Sequence, residues 1–266
     1  MSTSSDFRVS EREGILEFVF TRAEKLNALT LPMVQGLWDA VQTLASRKDL
    51  RVLLIRAEGR YFSAGIDLNS ELSPSFEITS PTEFRRWYRN GVGSMHPLFD
   101  EIEGVEKPVV IAHQAACLGG AFEMSLSCDF RLAAKSARYA LPETALGGIP
   151  GSGGTSRLTR IVGPHWARWF IMANLAMEAE RALAVGLVHD VYPDETFESD
   201  VWSFCQNLAK QPPETVAAAK LAIELVADLD RQQARNVERL TVSGLVMGEE
   251  FKTLMGAMRE RLGHKK

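Results

Sequence analysis

The sequence predicts an α/β core followed by a helical region. Two continuous apolar runs, VLLI (52–55) and VVIA (109–112), are typical of strands buried on both faces. A glycine turn follows each of them. After Gly163-Pro164 the apolar spacing becomes almost entirely helical. We therefore expect an α/β catalytic core over residues 1–195 and a C-terminal helical region over 196–266.

Strand and helix signals alternate along the chain. Residues 14–20 (GILEFVF) are rich in β-branched and aromatic side chains and predict a strand. A helix is predicted over 31–46, since Thr30 and Pro32 suit its start and apolar residues recur on one face. Pro212-Pro213 precedes a further helix over 214–229. A unit of buried strand, glycine turn and helix recurs, which indicates a spiral of strand–helix turns. The three copies span 52–67, 109–127 and 130–160.

One segment has two interpretations. Residues 69–81 are rich in Ser, Pro and Glu and predict a mobile loop. Large apolar side chains then follow at helical spacing. They are Phe84, Trp87, Tyr88, Val92, Met95 and Phe99. They form either a helix that packs in the core or a lid whose aromatic face covers an apolar ligand tail.

Composition excludes several classes of function. The chain of 266 residues has a net charge of −4, so neither nucleic acid nor an anionic membrane is an expected partner. The three cysteines stand in apolar contexts and indicate buried, reduced thiols. The first residues lack the apolar core of a signal peptide, and no apolar window could span a bilayer. We expect a cytoplasmic protein.

Two carboxylates are candidates for acid–base chemistry. Glu123 follows the Gly119-Gly120 turn by one helical turn and has apolar neighbours, which predicts a raised pKa. Glu143 follows Pro142, again between apolar residues. The alternatives are an ion-paired helix glutamate and a carboxylate at a helix start. The free N–H groups at glycine turns are candidate donors to a substrate oxygen.

Other motifs carry less chemistry. The run Gly147 to Thr155 lacks the Lys-Ser/Thr ending of a nucleotide-binding P-loop and the spacing of a dinucleotide fingerprint. We expect it to position Glu143 and to start the next helix. His113 follows a buried strand and is either a core residue or part of the site. No His/Cys/Asp cluster suggests a metal.

Four segments together resemble the crotonase (enoyl-CoA hydratase/isomerase) superfamily, over about residues 8–262. They are RAEKLNALT (22–30), FSAGIDL (62–68), CLGGAFEMSLSCD (117–129) and LPETALGGIPGSGGTSRL (141–158). The last two together are highly specific. The resemblance implies a spiral of ββα turns and C-terminal helices that build a homotrimer, usually paired into a homohexamer.

The resemblance also assigns site residues. It places two oxyanion donors on the backbone N–H groups of Ala64 and Gly120, and two catalytic carboxylates on Glu123 and Glu143. In this family coenzyme A lies across two short loops. The implied substrate-binding residues are Lys25, Leu26, Ala28, Ala64, Gly65, Ile66, Asp67, Leu68, Gly119 and Gly120.

The sequence departs from the family pattern in two motifs. Gln114-Ala115 replaces the usual Asn-Gly before the second glycine turn, and EEFKTLMGAMRER (249–261) replaces a late acidic-Gly pattern at coenzyme A. Residues 69–97, which shape the acyl pocket in the family, carry no diagnostic motif.

The implied activity is reversible syn addition of water to a 2-trans-enoyl-CoA, giving a 3-hydroxyacyl-CoA, a lyase reaction of fatty acid metabolism (β-oxidation). Glu123 would act as base toward water, and Glu143 would deliver a proton to Cα. Coenzyme A enters as part of the thioester substrate, and no metal or redox cofactor is expected. Alternatives on this scaffold are double-bond isomerisation and thioester hydrolysis, and Trp87 and Tyr88 leave aromatic or branched acyl chains open. An RNA-binding member is the remaining alternative, but the helix over 31–46 has no lysine.

Overall fold

The computed structural model describes residues 5–73, 78–90 and 94–263. The strands within these ranges form two sheets. In chain order they are β1 (Phe7–Arg12), β2 (Ile15–Phe20), β3 (Val52–Ala57), β4 (Tyr61–Ser63), β5 (Val109–His113), β6 (Ala116–Leu118), β7 (Phe130–Ala134), β8 (Arg138–Ala140), β9 (Met177–Glu178) and β10 (Asp190–Tyr192). The first sheet has the order β1-β2-β3-β5-β7-β10, and the second has the order β4-β6-β8-β9.

The chain alternates between the sheets, which confirms the predicted spiral. Each of the pairs β3/β4, β5/β6 and β7/β8 gives its first strand to one sheet and its second strand to the other. Successive pairs add the next parallel strand to each sheet. Parallel neighbours need long crossover connections, and the intervening helices supply some of them.

The helices, in chain order, are α1 (Leu31–Ser46), α2 (Pro81–Asn90), α3 (His96–Gly104), α4 (Gly119–Ser125), α5 (Gly154–Ile171), α6 (Ala179–Ala184), α7 (Phe197–Ala209), α8 (Pro213–Val226), α9 (Arg231–Met247) and α10 (Glu249–Gly263). The predicted helix over 31–46 is confirmed as α1. The helix predicted over 214–229 is α8, which ends three residues earlier, at Val226.

The central strands are buried on both faces, as predicted for 52–55 and 109–112. Successive side chains of β3 and β5 enter two different apolar clusters. Leu53 and Ile55 belong to the larger cluster, which also includes side chains of α1. Val52 and Leu54 belong to the smaller one, with Val201 of α7. An unbroken apolar run is the sequence signature of such a strand, because both faces leave water.

The apolar spacing over 84–99 predicted one helix, but the structure has two. Helix α2 ends at Asn90, and α3 begins at His96. Pro97 explains the new start: it has no N–H for a continuing helix and suits a first turn. Val92 lies outside the described residues. The structure supports packing in the core for α3 but not for α2. Phe99 of α3 is in the core, whereas the described side chains of α2 are half-buried or exposed.

The region after Gly163-Pro164 is less helical than predicted. Gly163 has non-helical backbone angles, φ 74° and ψ 164°, so α5 is interrupted there. Two short strands follow, and both complete sheets: β9 pairs with β8, and β10 pairs with β7. Strands of two or three residues are too short to show a period of two in the sequence. These two strands form because the tertiary structure places a pairing strand beside each of them.

The chain divides into two compact units. The first comprises 1–105 and 109–209, and the second comprises 106–108 and 210–266. The division falls after Ala209 rather than after residue 195, since α7 packs its Phe197, Val201 and Cys205 against the first sheet. In the second unit α9 begins with a capping box between Asp230 and Gln233. No helix in the described part of the chain is both long and apolar enough to cross a membrane.

Candidate active site

The Gly119-Gly120 turn joins β6 directly to α4. Gly119 has a φ of +52°, in the left-handed region that favours glycine. A side chain would also be obstructed here, since the Glu143 Oε1 atom lies 3.0 Å from the position of a Cβ on Gly119. Gly120 occupies the first turn of the helix, so its N–H has no acceptor within that helix. The turn therefore presents a backbone amide close to a carboxylate.

The structure corrects the assignment of Ala64 as the second oxyanion donor. The Ala64 N–H donates to the Leu26 carbonyl oxygen at 2.9 Å. That bond fastens the turn after β4 to the loop around residue 26. An amide already bound to a backbone oxygen is not available to a substrate oxygen.

In the same turn, the N–H group of Ile66 remains available to a substrate oxygen. On either side of it, the Gly65 N–H donates to Ser63 Oγ at 3.2 Å, and the Asp67 N–H donates to the Leu29 oxygen at 2.9 Å. Among the described residues, no acceptor receives the Ile66 N–H.

The Ile66 turn lies against the second glycine turn. A Cβ on Gly120 would stand 2.9 Å from Ile66 Cγ1, and a Cβ on Gly65 would stand 3.5 Å from the Gly120 nitrogen. Glycine at both positions permits this close approach. The two available amides, those of Ile66 and Gly120, therefore belong to touching turns.

Glu123 is held in a backbone cradle. Its side chain is buried, with 3% of the residue exposed. The Ser152 N–H and the Gly154 N–H both donate to Glu123 Oε1, at 2.8 and 3.0 Å. Burial first, and then the neighbouring Glu143 carboxylate, raise the pKa of Glu123 to about 7, although these two bonds and Arg157 oppose the rise.

The glycine-rich run does more than the sequence predicted. It starts α5 as expected, and its Gly148 N–H donates to the Glu143 carbonyl oxygen at 2.9 Å. In addition, its Ser152 and Gly154 amides position Glu123, which the sequence did not indicate. Gly154 is required by packing, because a Cβ there would stand 2.6 Å from Glu123 Cγ and 2.7 Å from Oε1. No local pattern indicates this pairing, since 31 positions separate the two residues.

Arg157 supports the cradle and was missed by sequence reasoning. Its guanidinium binds both oxygens of Glu103, at 2.6 and 2.8 Å, and Asp100 at 2.7 Å. It also donates to the Ser152 carbonyl oxygen at 3.3 Å. The resemblance segment 141–158 contains Arg157, but nothing local marks it as different from other helix arginines.

Glu143 lies in a short 3-10 helix, Pro142–Leu146. Burial raises the pKa of its carboxyl group. Its Oε2 atom is buried and has no hydrogen-bond partner among the described residues. An unpartnered buried carboxylate oxygen is costly unless a ligand or water completes it. The structure thus brings together the two predicted glutamates, one bound at Oε1 by two amides and the other with an unpartnered Oε2 atom.

The predicted coenzyme A segments also lie side by side. The Leu29 N–H donates to the Gly65 oxygen at 2.8 Å, and Arg22 joins the two loops through an ion pair with Asp67 at 2.7 Å. The hydrogen bond from Arg22 is the main cause of the lowered pKa of Asp67. Lys25 and Leu68 are exposed on these loops. Coenzyme A contact by these residues stays a prediction.

His113 and Gln114 have structural surroundings. His113 is fully buried against Tyr139, whose hydroxyl lies 3.1 Å from His113 Nδ1. Burial lowers the pKa of His113 to about 3, so the ring is neutral. Gln114, which replaces the family's usual Asn, donates to the carbonyl oxygens of Gly59 and Tyr61 at 3.1 and 3.0 Å. It therefore ties the second turn to the start of β4.

A spiral α/β fold with two carboxylates of raised pKa beside free backbone amides is the arrangement of an acid–base enzyme. Comparison with known proteins agrees. The family model described as enoyl-CoA hydratase/isomerase matches residues 10–264. The chain belongs to this family, the crotonase superfamily.

Relatives of known name support this membership. The chain is 28% identical to the 2,3-dehydroadipyl-CoA hydratase of Escherichia coli (strain K12), over 97% of this chain and 92% of that protein. It is 32% identical to the mitochondrial methylglutaconyl-CoA hydratase of Homo sapiens, over 86% and 68%. A crystal structure of an enoyl-CoA hydratase subunit from Geobacillus kaustophilus HTA426 superimposes with a TM-score of 0.87, at 28% identity, and covers 96% of this chain and 95% of its own.

Proposed function

We propose that the protein is an enoyl-CoA hydratase that adds water reversibly to a 2-trans-enoyl-CoA. The observation that carries the proposal is the pairing of Glu123 with Glu143. Both carboxyl groups have a raised pKa, and that of Glu123 is about 7, close to neutral pH. A group that gains and loses a proton near the working pH is an effective general acid or base.

In the hydration direction, Glu123 takes a proton from water as the water oxygen bonds to Cβ. The electron pair of the double bond moves through Cα to the thioester oxygen, and Glu143 then delivers a proton to Cα. The N–H groups of Ile66 and Gly120 would stabilise the negative oxygen, and loss of one such donor typically costs about 3–4 kcal/mol of barrier. The two carboxylates titrate as a pair, so the shared proton matters more than a separate assignment. The addition changes no oxidation state overall, so we propose that it needs no redox cofactor. We also propose that it needs no metal, because the Ile66 and Gly120 amides would stabilise the negative oxygen and Glu123 would activate the water.

We further propose that the substrate is an acyl-CoA thioester bound across the loops of Lys25 and Leu68, and that the protein is a homo-oligomer. The exposed apolar side chains on α8, α9 and α10 support an oligomer, since faces of this kind usually pack against a partner. They include Leu221, Ile223, Leu225, Leu240, Val242, Met247 and Leu254. The trimeric or hexameric state and the cytoplasmic location stay predictions.

The test follows the loss of the conjugated-enoyl ultraviolet absorbance. Substrates would be short-chain, medium-chain and aromatic 2-enoyl-CoAs, with 2,3-dehydroadipyl-CoA and methylglutaconyl-CoA, the compounds in the names of two relatives. We expect Glu123→Gln and Glu143→Gln each to lower kcat about 10²- to 10⁴-fold, with Glu195→Gln, an exposed carboxylate, as the matched control. No turnover of any enoyl-CoA by folded protein would overturn the proposal.

Isomerisation of an enoyl-CoA double bond is the second candidate. One observation favours it: Glu123 is restrained by two bonds to Oε1, whereas Glu143 has an unpartnered oxygen. A single free carboxylate suffices to move a proton between two carbons. If only Glu143→Gln abolishes activity and the product is a shifted alkene, isomerisation replaces hydration.

A further inference from the structure

Tyr88 of α2 reaches the Glu123 cradle, although none of the four segments that resemble the family includes it. Its ring stacks on Phe84, with centroids 5.6 Å apart and 14° between the planes, and meets His96 edge-on at 5.7 Å. His96 Nε2 in turn lies 3.1 Å from the Gly151 carbonyl oxygen. These contacts hold the phenol ring against the loop that precedes α5.

Among the residues that the structure describes, the hydroxyl group bonds to one partner, Ser152 Oγ, at 3.0 Å. Ser152 is buried and is held at two further points. Its N–H donates to Glu123 Oε1 at 2.8 Å, and its carbonyl oxygen accepts from Arg157 at 3.3 Å. The bond to Tyr88 therefore connects α2 to the residue that supplies half of the Glu123 cradle.

The loop leaves room for this hydroxyl group. A Cβ on Gly151 would stand 2.8 Å from the Tyr88 oxygen. Gly151 is not among the residues with a positive φ, so the close approach of Tyr88, rather than the backbone angle, accounts for the missing side chain. Burial raises the pKa of Tyr88, the hydrogen bond with Ser152 opposes that rise, and the charges of both glutamates add to it. The phenol accordingly stays neutral at neutral pH and remains a hydrogen-bonding group.

We propose that Tyr88 is a positioning residue, which holds the amide cradle of Glu123 through the hydroxyl group of Ser152. The inference rests on the proposed function only in that Glu123 exchanges a proton during the reaction. Among the described residues, the charged and titratable groups near Glu123 and its cradle are Glu143 on the 3-10 helix, Arg157 on α5 with its partners Asp100 and Glu103 on α3, His96 beside Gly151, and Tyr88 itself.

The primary test needs no turnover, so it is independent of the proposed function. The protonated-carboxyl infrared band of Glu123 is titrated in substrate-free protein and isolated by subtracting the spectrum of Glu123→Gln. Tyr88→Phe keeps the stacked ring and removes only the hydroxyl group. Without the bond from Tyr88, the Ser152 N–H holds Glu123 less firmly. Because that N–H favours the charged carboxylate, loosening it should raise the midpoint of the Glu123 titration by about half a pH unit. Tyr61→Phe is the matched removal of a hydroxyl group elsewhere in the unit.

Ser152→Ala should raise the midpoint by a similar amount, and the double variant should raise it no further, since the two groups act through one bond. Gly151→Ala, which displaces the hydroxyl group without altering Tyr88, gives the same test if Tyr88→Phe folds poorly. In turnover, Tyr88→Phe should lower kcat about fivefold and leave KM within about twofold. An unchanged midpoint in Tyr88→Phe would overturn the proposal. A shift in Tyr88→Phe without one in Ser152→Ala would overturn the route through Ser152.

Discussion

Replacement of Glu123 by glutamine should lower kcat about 10²- to 10⁴-fold and stabilise the fold at neutral and higher pH. The side chain is buried, and its pKa is raised from 4.5 to about 7, so the folded protein favours the protonated form. The stability contributed by that proton is fully present below about pH 4.5 and is lost as the pH rises through about 7. At about 1.4 kcal/mol per pH unit, ionisation of Glu123 lowers the free energy of unfolding by roughly 3 kcal/mol at pH 8.

A glutamine at this position stays neutral at every pH. Its side-chain oxygen can still accept the Ser152 and Gly154 N–H groups, so the cradle is retained. We therefore expect the variant to match the wild type below about pH 4.5 and to exceed its free energy of unfolding by up to about 3 kcal/mol at pH 8. Buried catalytic charges commonly trade stability for activity in this way.

The measurement is urea unfolding of both proteins at pH 5, 6, 7 and 8, at one fixed protein concentration because association would shift the apparent stability. Glu195→Gln, an exposed carboxylate in the same unit, is the control and should show no comparable pH-dependent gain. A constant difference between Glu123→Gln and the wild type across the pH series would refute the reasoning. So would a variant that is less stable than the wild type at pH 8.

Three further substitutions test the site. Gly154→Ala should lower kcat about tenfold or more, since its Cβ would stand 2.6 Å from Glu123 Cγ; steady-state kinetics with a thermal melt would separate misplacement of the carboxylate from unfolding. Gly65→Ala should lower the free energy of unfolding by about 1–3 kcal/mol and kcat about 10²-fold, because φ is +95° and the Cβ would stand 3.0 Å from the Leu118 oxygen. Unaltered kinetics would count against the Ile66 turn as an oxyanion site. Arg157→Met should lower the free energy of unfolding by about 3 kcal/mol and raise the pH midpoint of activity, since the guanidinium lowers the pKa of Glu123. A pH–rate profile in which the midpoint falls would contradict this.

Much of the architecture could be predicted from the sequence. The apolar runs at 52–55 and 109–112 allow few alternatives to doubly buried strands, because both side-chain faces must leave water. The resemblance segments also singled out Glu123 and Glu143 together, and the structure places these residues at one site. A continuous helix over 84–99 was wrong, since Pro97 starts a new helix and the spacing of apolar residues does not report such a break.

The tertiary structure decided which groups are free and which are bound. Whether Ala64 or Ile66 offers an amide depends on how the loop at 26–29 pairs with the turn at 64–67, and a pairing between distant segments leaves no local trace in the sequence. The same holds for the Ser152 and Gly154 amides on Glu123. Local patterns encode burial and backbone preference, whereas hydrogen bonds between remote segments depend on the register in which the folded chain joins them. The sequence by itself therefore determined the family and the chemical groups, and the fold determined their geometry.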